Sequence, residues 1–433
     1  MTAASSSRMR SGEASPAPSD ETGAPAPGAG RRIALLLPNL AGGGAEACML
    51  RTTDALLRRG FRVDLVLCER TGPLLAEVPA GARVIGLPWA PMPLARALAL
   101  AADPAGLRAM LAPVLLAWRP AKQLSHLPGL VRYLRAERPD ALFAAMSAPN
   151  LLAVWARRLA GVPTRVLISE HNTLSAMLGG SRRWRDRHLP PLLGHAYRLA
   201  DGIVAVSDGV ADDLARQSGL PRRRIATVYN PVVTPELAAM ASEPVAHRWF
   251  LPAAPPVVLA VGSLSARKDF PTLVRAFARL RKERDCRLVI LGQAASPKKT
   301  EEQRAELMAL AASLGVAVDV DLPGFVANPF AYMARASVFV LSSAFEGLPG
   351  VLIEALACGC PVVSTDCPSG PAEILDGARF GPLVPVGDDR AMAVAIAATL
   401  ERPLAAATLR ERGAMFSVDR AVDRYVDLML DRG

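Results

Sequence analysis

Long hydrophobic runs are absent from the sequence, although 51% of its 433 residues are hydrophobic. No apolar stretch reaches the roughly 18–20 residues that a membrane-spanning helix needs. The beginning of the chain also lacks the pattern of a secretory signal peptide. We therefore expect a cytoplasmic protein without a transmembrane anchor.

Cysteine and histidine are scarce, and they do not cluster. The six cysteines are scattered along the chain, and Cys358 and Cys360 do not have the spacing of a zinc site. None of the five histidines belongs to a His–Cys cluster. These absences predict reduced cytosolic thiols and no metal site.

The excess of positive charge lies in the first part of the chain. Residues 1–250 contain 30 lysines and arginines against 19 acidic residues, whereas residues 251–433 contain 20 against 21. The whole net charge of +10 therefore belongs to the first 250 residues. A basic surface can bind nucleic acid, an anionic membrane or a lipid diphosphate, and composition alone does not separate these partners.

Alternating strand and helix patterns predict two α/β domains, as the length also suggests. An apolar strand at 33–38, a glycine loop at 42–44 and a helix at 45–59 form a Rossmann-like unit. A second series of strands and helices begins at 257, after a proline-rich stretch. The predicted parts are a disordered tail (1–30), an N-terminal domain (31–240), a linker (241–256), a C-terminal domain (257–415) and a terminal helix (416–433).

The most informative stretch is a strand, loop and helix in the second domain. An apolar run at 338–341 predicts a buried strand, and Pro349 with the following glycine opens a helix. Glu346 then lies on the loop, and Glu354 lies about one turn further along. We predict that the N–H groups of residues 348–351 bind a diphosphate at the helix N-terminus. Because carboxylates repel phosphate, the two glutamates suit sugar hydroxyls, and the whole stretch suits a nucleotide-sugar.

Glu346 and Glu354 stand eight residues apart, with GLP after the first and EALACG around the second. This stretch resembles the E-x7-E signature of the retaining glycosyltransferases of family four. The resemblance implies an α/β protein of GT-B fold, in which two Rossmann-like domains face each other across a cleft. It also implies transfer of a hexose or N-acetylhexosamine from a UDP-sugar to a lipid-linked or nascent surface glycan. The plainer interpretation is a strand–loop–helix unit whose glutamates are merely solvated.

The resemblance assigns the donor to the second domain. Glu346 would hold sugar hydroxyls, Glu354 the ribose diol, and Phe325 with Val326 the base. Arg267 and Lys268 stand on a strand-to-helix loop, where two cations can neutralise a leaving diphosphate. The predicted donor-binding residues are Gly262, Ser263, Arg267, Lys268, Phe325, Val326, Glu346, Gly347, Leu348, Pro349, Gly350, Val351 and Glu354.

The first domain would face the acceptor. His171 ends a strand in an S-E-H-N segment, and the resemblance implies that it contacts the transferred sugar, although single histidines are more often packed or exposed. We predict a catalytic set of His171, Glu346, Arg267 and Lys268. The predicted acceptor-side residues are Gly43, Gly44, Glu46, Arg182 and Arg183.

Two of these acceptor-side assignments have plain structural alternatives. The loop that contains Gly43 and Glu46 would serve equally as a tight strand-to-helix turn. Arg182 and Arg183 belong to a basic cluster, SRRWRDR, which would hold an acceptor diphosphate or lipid headgroups, or would simply be solvated.

Residues 92–139 are predicted to form short helical pieces broken by prolines, among them Pro128. Leucines and Trp118 alternate with arginines there, as in segments that lie in a membrane interface. Surface helices with a solvated arginine face are the alternative. Together with the charge distribution, this segment leads us to predict an anionic membrane surface as a partner, and no nucleic acid. The protein would then be peripheral on the inner face of the plasma membrane.

Two other classes of function stay open. A dinucleotide-dependent oxidoreductase could use the glycine loop, but the loop lacks G-x-G-x-x-G spacing. An inactive GT-B module could act as a membrane scaffold, since Ser263 replaces the arginine that usually follows Gly262 in the family. Asp319 and Asp321 form a D-x-D pair, a metal motif of other glycosyltransferases, at a variable linker of this family. We predict neither a metal nor a cofactor.

Overall fold

The computed structural model describes residues 28–118, 121–179, 184–294 and 296–431. Within them, the first domain is built on a seven-stranded parallel sheet of order β3-β2-β1-β4-β5-β6-β7. The order reverses between β1 and β4, and open α/β sheets bind ligands beside such a reversal. The strands are β1 (Arg32–Leu37), β2 (Arg62–Leu67), β3 (Arg83–Gly86), β4 (Ala141–Ala145), β5 (Arg165–Glu170), β6 (Gly202–Ala205) and β7 (Ile225–Thr227).

Helices cover both faces of this sheet, so its central strands are apolar on both sides; Ile33 to Leu37 are fully buried. The sequence predicted that Pro128 breaks a helix. Instead, Pro128 lies in the first turn of a helix, where the missing N–H would have had no partner within the helix. The helices are α1 (Gly44–Arg58), α2 (Met92–Ala102), α3 (Leu107–Met110), α4 (Leu127–Glu137), α5 (Ser147–Ala160), α6 (Leu174–Gly179), α7 (Leu189–Ala196), α8 (Asp208–Ser218) and α9 (Leu237–Ser242).

The second domain contains a six-stranded parallel sheet of order β10-β9-β8-β11-β12-β13 within the described residues. Its strands are β8 (Val257–Val261), β9 (Arg287–Leu291), β10 (Val320–Gly324), β11 (Val338–Leu341), β12 (Val362–Thr365) and β13 (Leu383–Val384). Its sequence continues through α10 (Phe270–Arg281), α11 (Pro297–Ser313), α12 (Pro329–Met333), α13 (Gly350–Ala357), α14 (Pro371–Ile374), α15 (Asp389–Glu401), α16 (Ala406–Ala414) and α17 (Val418–Leu430).

The C-terminal helix α17 packs on the first domain. Ser417 caps its N-terminus by accepting a hydrogen bond from the N–H of Arg420. Its apolar face joins the core beneath β1 and β4, where the rings of Tyr425 and Phe143 lie 4.8 Å apart. Because α17 follows the second domain in sequence, it ties the two domains together.

Loops that follow the strands of the two sheets meet each other. The Ser207 hydroxyl, after β6, donates to the carbonyl of Gly347, after β11, at 2.9 Å. The carboxylate of Glu373 accepts from the N–H groups of Asp208 and Gly209 at 2.8 Å each. Residues 171, 207 and 347 are thereby placed along one boundary between the domains.

Two predictions, one on the N-terminal tail and one on membrane spans, can be compared with the structure. Residues 1–27 of the predicted tail lie outside the described residues, whereas the N–H of Gly28 donates to the carbonyl of Arg59 at 3.1 Å. No single described helix is long and apolar enough to cross a bilayer. Two pairs of helical segments reach that length only together, with bends of 105° and 116° between their members.

Candidate active site

Glu346, Arg267 and Lys268 meet at one point on the second domain. Lys268 Nζ lies 2.6 Å from Glu346 Oε1, and Arg267 Nη1 lies 3.2 Å from Oε2. The Ser343 hydroxyl also donates to Oε1 at 2.7 Å. The neighbours Arg267 and Lys268 are therefore brought to Glu346, which is distant in sequence, and Ser343 is a fourth member that the sequence analysis missed.

The two cations outnumber the single carboxylate in this cluster, which is largely buried. Glu346 and Lys268 are both buried, whereas the side chain of Arg267 is 36% exposed. Burial alone would raise the pKa of Glu346, but the charges of Lys268 and Arg267 outweigh it and hold the pKa below its usual value. The glutamate thus stays ionised and fixes the two cations, of which Arg267 has the freer path to a ligand.

Three glycines form a narrow shelf beside Lys268 at the ends of β8, β9 and β10. A Cβ on Gly262 would lie 2.9 Å from the Lys268 side chain, and one on Gly292 would lie 1.8 Å from the Gly262 carbonyl oxygen. The N–H of Gly292 donates to the carbonyl of Gly324 at 2.8 Å. Both contacts are with the protein itself, so glycine is required at these positions for the close packing of the strand ends around Lys268.

Phe325 and Val326 lie next to this shelf, directly after β10. β10 ends at Gly324, so neither residue belongs to the strand. The ring of Phe325 is 68% exposed. Ser263, the residue that departs from the family pattern, is exposed and makes a 3.2 Å contact between its hydroxyl and that of Ser265. It supplies no charge to the site.

The loop before α13 lies against the first domain. A Cβ on Gly347 would come within 2.0 Å of the carbonyl oxygen of His171, so only glycine fits there. Helix α13 begins at Gly350. Within the described residues, no hydrogen bond occupies the N–H groups of Leu348, Gly350 and Val351. Pro349 has no N–H, which corrects the predicted run of donors to these three.

Glu354 is separated from the Lys268 cluster and pairs across the domain boundary. Its Oε1 atom lies 3.2 Å from Arg51 Nη2, on α1 of the first domain. The same guanidinium donates to the carbonyl of Pro231 at 3.4 Å through Nη1. The sequence analysis did not identify Arg51. Its position on the helix that follows the glycine loop is the only sequence feature that could have indicated a role at the site.

His171 is buried at the end of β5, with Nε2 2.9 Å from the Ser169 hydroxyl. Burial lowers its pKa from 6.5 to about 4, so the imidazole is neutral at pH 7. A neutral ring held at one nitrogen can exchange a hydrogen bond with a sugar hydroxyl through the other. It does not carry the positive charge that would attract phosphate.

We expect the buried His171 to make the folded protein sensitive to acid. A histidine whose folded pKa is lower than its unfolded pKa contributes stability above pH 6.5 that is lost as pH falls towards 4. The unfolding free energy of wild type should therefore fall by about 3 kcal/mol relative to His171→Gln over this range. Urea unfolding at several pH values measures the difference. A constant difference would contradict the neutral, buried state of His171.

Glu170, beside His171, anchors a buried network. It accepts hydrogen bonds from Ser147, Asn150 and Tyr197. Burial raises its pKa to about 6, although these hydrogen bonds act in the opposite direction. The network fixes the end of β5 against the start of α5, and so determines where His171 stands. Neither Ser147 nor Tyr197 was predicted to have this role.

The acceptor-side predictions have different outcomes. The carboxylate of Glu46 is buried and folds back over Gly43, where a Cβ would lie 2.3 Å from Glu46 Oε2. Gly44 is exposed and is the first residue of α1. This geometry agrees with the tight-turn interpretation of Gly43 and Glu46. Arg182 and Arg183 lie outside the described residues.

The two aspartates of the D-x-D pair form ion pairs with different residues. Asp319 is bound by Arg281 at 2.8 Å and by Arg287 at 3.3 Å. Asp321 lies within β10 and contacts His247 Nε2 at 3.0 Å. Asp319 therefore joins the segment before β10 to α10 and β9, whereas Asp321 joins β10 to the linker.

Comparisons with known proteins agree with this division into two domains. A model described as Glycosyltransferase Family 4 matches residues 42–235, and one described as Glycosyl transferases group 1 matches residues 255–402.

Two curated bacterial relatives match over more than half of the chain. An N-acetylgalactosamine-N,N'-diacetylbacillosaminyl-diphospho-undecaprenol 4-alpha-N-acetylgalactosaminyltransferase of Campylobacter jejuni is 34% identical over 60% of this chain and 67% of its own length. The lipopolysaccharide core biosynthesis glycosyltransferase LpsE of Rhizobium meliloti is 32% identical over 54% of this chain and 66% of its own length.

Solved structures extend the likeness to the whole fold. A glycosyltransferase of Rickettsia africae superimposes with a TM-score of 0.69 at 16% identity, over 93% of this chain and 98% of that one. Anabaena HepE, solved with UDP and glucose, gives a TM-score of 0.68 at 19% identity, over 92% and 98% of the two chains.

With the two facing sheets, these likenesses define a GT-B glycosyltransferase. The sequence matches then give the family: the chain belongs to glycosyltransferase family 4, as the E-x7-E resemblance predicted. The predicted GT-B fold is confirmed, and an oxidoreductase built on the glycine loop is not supported.

Proposed function

We propose that the protein transfers a hexose or N-acetylhexosamine from a UDP-sugar to a lipid-linked or nascent surface glycan, with retention of configuration. The contact of Glu346 with both Arg267 and Lys268 carries this proposal. Two cations lie there beside the glycine shelf, and their positive charge supports binding of a nucleotide diphosphate. The presence of UDP in HepE, which has the same fold, supports the choice of donor.

In this function the charged cluster stabilises the leaving group. Lys268 and Arg267 neutralise negative charge that develops on the diphosphate as the sugar departs. Glu346 holds the cations in place and offers its carboxylate edge to sugar hydroxyls. Glu354 binds the ribose diol through Oε2, since Oε1 is occupied by Arg51. The base lies along Phe325 and Val326.

Retention is proposed to follow from attack on the face that the diphosphate leaves. The acceptor oxygen forms a bond to the anomeric carbon while the bond from that carbon to the UDP oxygen breaks. The acceptor proton passes to an oxygen of the departing diphosphate, so no carboxylate nucleophile is required. The neutral imidazole of His171 holds the transferred sugar from the first domain.

The acceptor is proposed to be lipid-linked. The Campylobacter relative is named for a substrate on diphospho-undecaprenol. The first 250 residues of this chain carry the whole excess of positive charge, which suits a diphosphate and an anionic membrane. Several large apolar side chains in the same domain are exposed, including Trp89 at 67% and Trp118 at 93%.

We expect sugar transfer to be retained in EDTA, because Arg267 and Lys268 supply the positive charge that a metal ion would bring. The assay uses purified protein, UDP-sugars and a lipid diphosphate acceptor, and NMR reads the anomeric configuration of the product. An axial donor linkage should give an axial product. Activity lost in EDTA and restored by magnesium or manganese would contradict metal independence, and an inverted product would contradict retention.

We also expect salt-sensitive binding to anionic vesicles through the first domain. Each basic residue near an anionic surface contributes up to about 1 kcal/mol, and salt screens this attraction beyond a Debye length. Flotation with anionic vesicles measures it. Substituting serine in the SRRWRDR cluster should weaken binding while leaving UDP affinity intact. A wild-type protein that ignores these vesicles at low salt would point to a soluble acceptor. The substituted residues are Arg182, Arg183, Arg185 and Arg187.

A further inference from the structure

A cavity of about 950 Å³ lies in the first domain, between α5 and the segments 113–118 and 121–124. Its volume is near the upper end of the range of roughly 300–1,000 Å³ for small-molecule pockets. The cavity is partly open to the surface, so a ligand can enter it from solvent. Apolar side chains that form its wall include Val114, Leu151, Leu152, Trp155, Leu189 and Leu192.

The chemistry of the wall excludes most ligands of a glycosyltransferase. Among its described residues, only Lys122 and Asp186 carry charge. A sugar would lose hydrogen bonds to water that this wall could not replace, and a nucleotide would lose still more. A hydrocarbon chain loses nothing of that kind, and it gains from leaving water.

The cavity adjoins the catalytic boundary. Met146 and Ser147 line it, directly after β4. The Ser147 hydroxyl donates to the Glu170 carboxylate at 3.1 Å, and His171 is the next residue in the chain. A molecule that places a sugar beside His171 can therefore continue into the cavity over a short distance.

The cavity also reaches an apolar part of the surface. Trp118 belongs to the wall, yet 93% of its surface is exposed. Leu116 beside it is 66% exposed, and Lys122, another wall residue, is exposed as well. An opening edged by an indole, a leucine and a cation suits a molecule that arrives from an anionic lipid surface.

We propose that this cavity binds the hydrocarbon chain of the lipid-linked acceptor. The inference rests on the proposed function, and adds a site for a part of the acceptor that does not react. A chain held there would anchor the acceptor in the first domain, with its glycan directed towards His171. Prenyl and acyl chains share the chemistry that this wall recognises.

The test compares two ligands with the same headgroup and different chain lengths. Geranyl diphosphate and geranylgeranyl diphosphate are titrated below their critical micelle concentrations, with tryptophan fluorescence as readout because Trp118 and Trp155 belong to the wall. The longer chain should bind at least about ten-fold more tightly, since it buries more apolar surface. Ala117→Phe and Ala121→Phe, which fill the cavity, should reduce this preference to about two-fold or less.

Leu111→Phe serves as the matched control, because it adds the same ring to the same segment at an exposed position outside the wall. It should keep the wild-type preference. UDP affinity should be unchanged in all three variants. Equal affinity for both chains in wild type, or a preference that survives in both cavity variants, would overturn the proposal.

Failure of this proposal and failure of the proposed function give different results. A chain-length preference without UDP binding would leave the lipid site standing and remove the transferase. Transfer from a UDP-sugar that does not depend on chain length would support the transferase and overturn the lipid site. Competition by oleoyl lysophosphatidic acid identifies an acyl chain as the occupant, and its failure to compete identifies a prenyl chain.

Discussion

Replacing Lys268 by methionine is expected to lower kcat/KM for transfer by about two to three orders of magnitude. Lys268 is buried beside the glycine shelf, and its ammonium is the nearest cation to Glu346. Preorganised charge of this kind acts mainly on the transition state, where the diphosphate gains negative charge. Steady-state kinetics with a UDP-sugar measure the loss. Lys268→Arg should recover part of the activity because it restores the charge.

The same substitution should weaken the fold, and this effect must be separated from catalysis. Glu346 would stay buried, but the loss should be smaller than the about 3–5 kcal/mol for an unpaired buried charge, because Arg267 remains beside it. Lys298→Met on α11 is the matched control, since that side chain is 87% exposed. It should change neither stability nor kinetics. A folded Lys268→Met protein with nearly wild-type kcat/KM would remove Lys268 from the mechanism.

Replacing Glu354 by alanine should weaken UDP binding by about 1.5–3 kcal/mol, the usual contribution of a hydrogen bond to a charged group. Calorimetry with UDP measures this directly. Glu302→Ala on α11, where the side chain is 54% exposed, is the control and should bind UDP normally. Unchanged affinity in Glu354→Ala would show that the ribose is held elsewhere.

Arg51 provides a second test of the role of Glu354. Arg51→Met leaves the carboxylate in place but removes the partner that fixes Oε1. UDP affinity should fall less than in Glu354→Ala, because the ribose contact through Oε2 is kept. An equal or larger loss would mean that Arg51 itself contacts the donor.

The strand, loop and helix around Glu346 could be predicted from the sequence because their signals are local. An apolar run predicts β11, and the Pro-Gly pair marks the start of α13. The alternation of strands and helices likewise predicts two α/β domains. The fold class, and the positions of the two glutamates on a loop and a helix, can therefore be predicted from residues that are neighbours in sequence.

Contacts between distant residues could not be predicted in the same way. Arg51 and Glu354 are 303 residues apart, and no local sequence pattern at either residue predicts their contact. The pairing of both cations with Glu346 also depends on how β8 and β11 lie side by side. The cavity beside α5 depends on the packing of several segments, so no single stretch of sequence indicates it.

The most direct test of the central claim is mass spectrometry of a lipid diphosphate glycan incubated with the purified protein and a set of UDP-sugars. We expect one UDP-sugar to increase the acceptor mass by a single hexose or N-acetylhexosamine, with release of an equal amount of UDP. Lys268→Met should form little of this product. UDP release without any gain in acceptor mass, or no reaction with any UDP-sugar, would contradict the account.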